Sequence, residues 1–503
     1  MLQQQFELAF KRATPLIAVR TQNWQGTSAK LAETLREGEP VPVVLWNFNQ
    51  GVAPYNVKGQ EIISVFRDEG EDNTKANPVR FLDKMLGVST PTICFFVLPK
   101  DLINGDQADA GTLQGISNLR DPLKAVGASL VILAPDISLP AFLQQDVTVF
   151  NDSLPEEDVL KVAVLEAYKN WETPPPDERT LLRAIDSLRG LSDFAAEQAV
   201  YMSMTKIGLN LDVLWGQKRA LINQTPGLNV YEKKEKLNFK HAAKLESIKE
   251  YMTDIFTGRK APRCIVWIDE IGRAIAGADG DRSGTTSDQV GVLLTEMQEN
   301  DYPGMIFTGP PGTGKSYMPQ ISGNEFNVPV LEWDFGAAKG NGLVGQAEKA
   351  IRAVCRVVKA VSGGDALFIA TCNSTANLPP ELRRRFKLGT YFFDLYGVED
   401  QKPIWDIYLS KYGLEGPVPT NTEGWTSKEI ANCCELAWRL NKPIMNVAKR
   451  ITPVVTSEVL EKYRREANSR YQDANNEGVY RYIETAKLQG SGRAVAAWEK
   501  ESK

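Results

Sequence analysis

Two segments that serve one phosphate site occur in this chain in the reverse of their usual order. Gly309-Pro310-Pro311-Gly312-Thr313-Gly314-Lys315-Ser316 fits the P-loop, or Walker A, pattern: a glycine-rich turn that ends in Lys and Ser. The apolar run Cys264-Ile265-Val266-Trp267-Ile268 closes on Asp269-Glu270, the pattern of the Walker B strand that partners such a loop, and it lies upstream of the loop. A P-loop demands a strand before it and a helix after it, and Met305-Ile306-Phe307 supplies the strand. The fold must therefore be α/β, with a parallel sheet that accepts these strands out of sequence.

The chemistry of the pieces is legible residue by residue. A phosphate chain is bound by a concave array of N–H donors, and Gly309, Gly312 and Gly314 let the backbone come close at the start of a helix. Lys315 would neutralise the β- and γ-phosphates of ATP, and Ser316 would hold Mg²⁺ through its hydroxyl. Asp269 would bind Mg²⁺ through its water shell, while Glu270 would orient and polarise an attacking water. The run Ala366-Leu367-Phe368-Ile369-Ala370-Thr371-Cys372-Asn373 reads as another core strand, and Asn373 at its end would help position that water. Arg383-Arg384-Arg385 follows Leu378-Pro379-Pro380-Glu381; arginines near a γ-phosphate stabilise the charge of the transition state.

Composition narrows the rest. With 43% hydrophobic and 24% charged residues the chain is that of a globular protein with ample core. A net charge of −5 argues against a general nucleic-acid binder. No apolar run approaches the ~20 residues that span a bilayer, and Met1-Leu2-Gln3-Gln4-Gln5 lacks the features of a signal peptide. Six cysteines without C-x-x-C spacing read as buried free thiols in a reducing compartment. With a single histidine, His241, zinc and triad chemistry lose their commonest ligand and base, and that residue is expected at a solvated helix position.

Apolar runs at 16–19, 41–46, 93–98 and 130–133 alternate with helix-like stretches, which predicts an amino-terminal α/β domain over 1–229. Its first strand leads into Gly26-Thr27-Ser28-Ala29-Lys30, which has no Gly-Lys-Ser/Thr, so no phosphate site is expected there. The nucleotide motifs place a core over 230–395. A charged linker helix opens that core, with Leu245, Ile248, Tyr251, Met252 and Ile255 on one face. A helical lid is expected over 396–489 and a polar mobile tail over 490–503.

Taken together, GPPGTGKS, IVWIDEI, IATCN and LPPELRRRF resemble the AAA+ ATPases. The chain is more closely similar to the hypothetical-chloroplast-reading-frame AAA family of algal plastids and cyanobacteria. That likeness is carried by GLVGQAEKAIR from Gly342, by Ala261-Pro262-Arg263-Cys264 with Trp267, and by the Gly/Asp/Ser-rich stretch 277–288. The resemblance implies core strands in the spatial order 5-1-4-3-2, a helical lid, and a homo-oligomeric, hexameric ring in which arginines reach the neighbour's nucleotide. It also implies ATP hydrolysis coupled to remodelling of a protein partner, in the cytoplasm or plastid stroma. Where such rings carry an aromatic pore residue, this chain reads Gly342-Leu343-Val344-Gly345.

Exchanging 261–300 with 301–361 restores the family order at every junction. Lys260 then runs into Asp301-Tyr302-Pro303-Gly304, Val361 into Ala261-Pro262, and Asn300 into Ser362-Gly363-Gly364. Each break falls at a strand's amino end, opposite the carboxyl edge where α/β sheets bind ligands. The new connections move chain ends by one or two strand spacings, ~5–10 Å, so the fold is reachable, with strain expected at Lys260, Asn300 and Val361. Two alternatives stand beside the ATPase: a nucleotide-binding scaffold with little or no hydrolysis, and a chain that does not fold.

Overall fold

The computed structural model describes residues 2–34, 41–68, 72–98, 108–231, 237–276, 285–336, 346–376 and 378–482. The expected tail over 490–503, the Gly342-Leu343-Val344-Gly345 segment and most of the stretch 277–288 lie outside the described residues. The chain divides into two compact units, Met1–Leu214 and Trp215–Lys503.

The first unit is built on β1 (Leu16–Arg20), β2 (Val43–Asn47), β3 (Gly51–Pro54), β4 (Ile93–Val97), β5 (Ser129–Ala134) and β6 (Thr148–Asn151). They form one sheet in the order β3-β2-β4-β5-β1-β6, parallel throughout except where β3 turns back on β2. Alternate residues feed opposite faces, as a strand's two-residue period requires. Leu16 and Ala18 of β1 enter one core cluster, and Ile17 and Val19 enter the other. Burial on both faces explains the near-continuous apolar runs. Strands β3 and β6 were not legible: β3 is four residues long, and β6 is a mostly exposed edge.

After β1, Asn23 caps the helix Trp24–Glu33 by accepting from the Gly26 N–H at 3.1 Å. Thr21 and Thr27 both donate to Asp152 Oδ2, at 3.0 and 2.5 Å, so side chains of this unit satisfy one another at that strand end. Helices Glu157–Asn170, Glu178–Leu188 and Asp193–Ser203 pack into a separate apolar cluster, next to a short hairpin of β7 (Met204–Thr205) and β8 (Gly208–Leu209).

The second unit carries β9 (Leu228–Val230), β10 (Cys264–Ile268), β11 (Gly304–Thr308), β12 (Val330–Trp333), β13 (Ala366–Thr371), β14 (Thr390–Phe392) and β15 (Gln472–Asp473). Their order across the sheet is β15-β14-β11-β13-β10-β12-β9. The inner five, β14-β11-β13-β10-β12, are parallel and reproduce the 5-1-4-3-2 arrangement with the P-loop strand β11 as strand 1. The expected boundary at 229 moves: β9 is antiparallel to β12, so 228–230 belongs to the second sheet and the first unit ends at Leu214. The edge strands β9 and β15 were also missed, because two- and three-residue strands carry no readable period.

Helices cover both faces. Cys264, Val266 and Ile268 pack with Leu293 and Met297 of Thr285–Glu299 and with Ile351, Val354 and Val358 of Gln346–Ser362. Ile265 and Trp267 pack on the other face with Ile248 and Met252 of Glu246–Thr257 and with Met318 and Ile321 of Tyr317–Glu325. A helical lid follows, in which Lys402–Tyr412, Ser427–Leu440 and Ile444–Ala448 close around Trp405, Trp425, Ile430, Cys433 and Cys434. All six cysteines are buried free thiols.

The three junctions of the proposed exchange sit at the amino ends of β10, β11 and β13. Each ends in hydrogen-bonded turns. Tyr302 N–H donates to the Met297 carbonyl at 3.0 Å, Gly364 N–H to Lys359 at 3.2 Å, and Arg263 N–H to Asp365 at 2.7 Å. The left-handed positions there are Asp301 (φ 50°), Gly363 (φ 62°) and Gly364 (φ 93°); two are glycines, and Asp tolerates the region.

Candidate nucleotide site

Beyond β11 the chain enters the P-loop, and three of its glycines take positive φ: Gly309 at 137°, Gly312 at 84° and Gly314 at 97°. Two of these positions also have no room for a side chain. A Cβ on Gly309 would lie 2.3 Å from the Phe393 carbonyl oxygen, and one on Gly312 would lie 2.4 Å from Thr426 Oγ1. Thr426 opens the lid helix Ser427–Leu440 through a capping box with Glu429, so the glycine loop and the lid meet there in direct contact. The helix Tyr317–Glu325 leaves the loop with Pro319 in its first turn, where a missing N–H costs nothing.

Lys315 is buried, and its Nζ donates to the carbonyls of Gly309 and Pro310 at 2.7 and 2.6 Å. Burial pushes its pKa down to about 8, against the opposing pull of Cys372, Asp269 and Glu270. Sequestered from water and aimed at the loop, this ammonium is poised to exchange carbonyl partners for phosphate. A phosphate chain would hold the proton on Lys315, so above pH 8 binding must first recharge it. Nucleotide affinity should be flat below about pH 7 and weaken by up to roughly tenfold per pH unit above about 8. The same group makes the folded chain gain stability as pH rises from about 8 towards the unfolded value near 10.4, because over that window the unfolded chain binds the extra proton. Calorimetric titrations from pH 6.5 to 9.5 check this, and a flat affinity across that range contradicts it.

The carboxylate strand meets the loop despite its place in the chain. Ser316 Oγ donates to Asp269 Oδ1 at 2.8 Å, and Thr371 Oγ1, at the end of β13, donates to the same oxygen at 2.5 Å. The Thr371 hydroxyl also accepts from the Glu270 N–H at 3.0 Å, so one side chain fixes both acidic residues. Glu270 lies in the left-handed region (φ 47°), a cost of about 1–3 kcal/mol for a non-glycine residue. That corner turns its side chain off the strand axis, and its carboxylate pairs with Arg273 at 2.6 Å. A hydroxyl beside a solvent-exposed carboxylate is a hard-oxygen donor set that suits Mg²⁺.

A cavity of about 340 Å³ joins these groups. Its polar lining includes Gly312, Thr313, Gly314, Lys315, Ser316, Glu270, Thr371 and Asn373. Pro311 also lines it, while Gly309 and Pro310 hold Lys315 from beneath. Its apolar lining comes from Ala242, Ala243 and Leu245 of the linker and from Tyr396, Ile404, Ile407 and Tyr408 of the lid. Sequence reasoning missed this wall. The signal was present in Ile404, Ile407 and Tyr408, which share one helix face by their spacing. His241 is exposed in a short 3₁₀ helix as expected, and it also lines the cavity, as does Lys428. Arg383, Arg384 and Arg385 lie on the helix Pro380–Arg385 and are not among the lining residues. Arg385 is tied to Gln298, while Arg383 and Arg384 are exposed.

The P-loop strand β11, the polar-ended strand β13 and the carboxylate strand β10 thus lie side by side in that order, with helices of the carboxyl-terminal part closing over the cavity. Residues 305–364 match the ATPase family associated with various cellular activities (AAA), and residues 2–151 match the SpoVK-like AAA ATPase, N-terminal domain. Most of the chain is similar to proteins described as the uncharacterized AAA domain-containing protein ycf46. That of Guillardia theta is 22% identical over 459 residues, covering 81% of this chain and 79% of that protein. That of Pyropia yezoensis is 21% identical over 454 residues, covering 81% and 82%. The crystal structure of the FIGL-1 AAA domain aligns at 15% identity and a TM-score of 0.31, over 48% of this chain and 92% of that one. Among the described residues no helix is long and apolar enough to cross a membrane.

Proposed function

We propose that this chain binds MgATP in the cavity between P-loop and lid and hydrolyses it, and that a ring of such chains couples turnover to remodelling of a protein partner. The observation that carries the reading is the Ser316–Asp269–Thr371–Glu270 network, which gathers residues from three strands onto one phosphate cradle. The nucleobase would lie against the apolar wall and the phosphates along the loop N–H groups and Lys315. Bound there, Mg²⁺ would be held by Ser316 and Asp269 and would offset phosphate charge. Glu270 would take the proton of the attacking water and Asn373 would orient it. Arg383 and Arg384, exposed and away from this chain's own cavity, would serve the neighbouring subunit's site. The likeness to the ycf46 proteins of algae supports the plastid stroma or the cytoplasm as this chain's compartment. The reversed motif order is read as a block exchange of 261–300 with 301–361 that leaves the spatial arrangement of the sheet intact.

One contact favours a second reading, a nucleotide-binding scaffold with little turnover: Arg273 engages the carboxylate that would have to accept the proton. Mixing experiments separate the two. A Glu270→Gln chain mixed with an Arg383→Ala/Arg384→Ala chain should regain part of the lost ATPase activity, because some interfaces then pair an intact Glu270 with intact arginines. Activity should also rise faster than linearly with protein concentration. Strictly linear activity from a monodisperse monomer contradicts the shared site.

A further inference from the structure

The carboxyl-terminal part of the second unit reaches back to the end of β13. Glu466, in the helix Ser457–Ala467, gathers three donors from the two residues after Asn373. Ser374 Oγ donates to its Oε2 at 2.6 Å, and the Thr375 N–H and Oγ1 donate to its Oε1 at 2.7 and 2.9 Å. Tyr471 OH adds a contact to Oε1 at 3.3 Å and also pairs with Thr375 Oγ1. Thr375 is fully buried, so without Glu466 its amide would lack its acceptor and its hydroxyl would keep only Tyr471 OH. On the other side of Asn373, Cys372 N–H donates to the Phe307 carbonyl at 2.9 Å. Asn373's own carbonyl accepts from Thr308 Oγ1 at 3.3 Å, one residue before the P-loop.

Asn373 is therefore held between two anchors, β11 on one side and the Glu466 carboxylate on the other. We infer that Glu466 is a positioning residue: it fixes the turn that presents Asn373 to the cavity, and so ties hydrolysis to the docking of the carboxyl-terminal helix. Charge-assisted bonds to an ionised acceptor are about twice as strong as neutral ones, which makes a carboxylate the apt anchor for a turn carrying three donors. The inference rests on the ATP-hydrolysis reading above for its kinetic consequence, but not for the anchoring itself.

The test uses the full chain and two variants. Glu466→Ala removes every acceptor. It should lower kcat about 10- to 100-fold, the scale of a displaced catalytic group, while KM for ATP moves by less than about threefold. Amide exchange should rise over 373–376, while β13 and the P-loop helix keep their protection. Glu466→Gln, which retains one acceptor oxygen, should recover part of kcat. A kcat within about twofold of the unaltered chain overturns the inference. So does a joint change of kcat and KM with exchange rising across the whole unit, since that marks a merely structural role. If the unaltered chain hydrolyses no ATP, the functional reading fails by itself. Exchange at 373–376 then still decides the anchoring: faster in Glu466→Ala supports it, and unchanged overturns it.

Discussion

Glu270→Gln should bind MgATP as the unaltered chain does, while its turnover falls roughly 10²–10⁴-fold, the usual worth of general-base assistance. The substitution is close to isosteric and an amide oxygen can still accept from Arg273, so the ion-pair corner keeps its shape. The left-handed backbone at Glu270 and its N–H bond to Thr371 do not involve the side chain and should persist. What is lost is the basic oxygen alone. Single-turnover phosphate release at saturating nucleotide, beside a titration of affinity, separates the two effects. Hydrolysis at the parent rate would mean that another group activates the water.

Lys315→Ala should weaken MgATP binding by roughly 10- to 100-fold, since a hydrogen bond to a charged group contributes about 1.5–3 kcal/mol and the phosphates would lose this ammonium. The fold should survive. Removing Lys315 leaves the carbonyls of Gly309 and Pro310 without their donor, but it also relieves the burial of a charge, the cause that lowers its pKa to about 8. The loop conformation is set instead by its positive-φ glycines and by the contacts of Gly309 with Phe393 and of Gly312 with Thr426. Titration calorimetry with MgATP on both chains reads the difference, and equal affinity would overturn the P-loop assignment.

What the sequence disclosed follows from the range of each physical signal. The P-loop and the Asp269-Glu270 strand end were legible because their function demands fixed residue types at short spacing. The fully buried strands were legible because both faces must be apolar, as in β10 and β13. The edges β3, β6, β9 and β15 were not, since a short strand with one bare side carries little pattern. The apolar wall of the cavity was hidden for another reason. Ala243, Tyr396 and Ile407 come from separate elements, and only the fold of linker and lid brings them together. Thr371 was seen as one letter in a strand, yet it joins Asp269 to Glu270, a role visible only once β13 lies between β11 and β10. The Glu466 anchor spans most of the distance from strand end to carboxyl terminus and leaves no local trace.

The reversed order bears on all of this through one geometric fact. The three junctions of the proposed exchange lie at the amino edge of the sheet, whereas Asp269, Glu270, Ser316 and Asn373 lie at its carboxyl edge. Position in space, rather than order along the chain, then decides whether the site works. Steady-state phosphate release from MgATP by the unaltered chain, with Glu270→Gln as the blank, tests that claim most directly. The account predicts sustained release well above the blank, whereas release no greater than the blank at any protein concentration would contradict it.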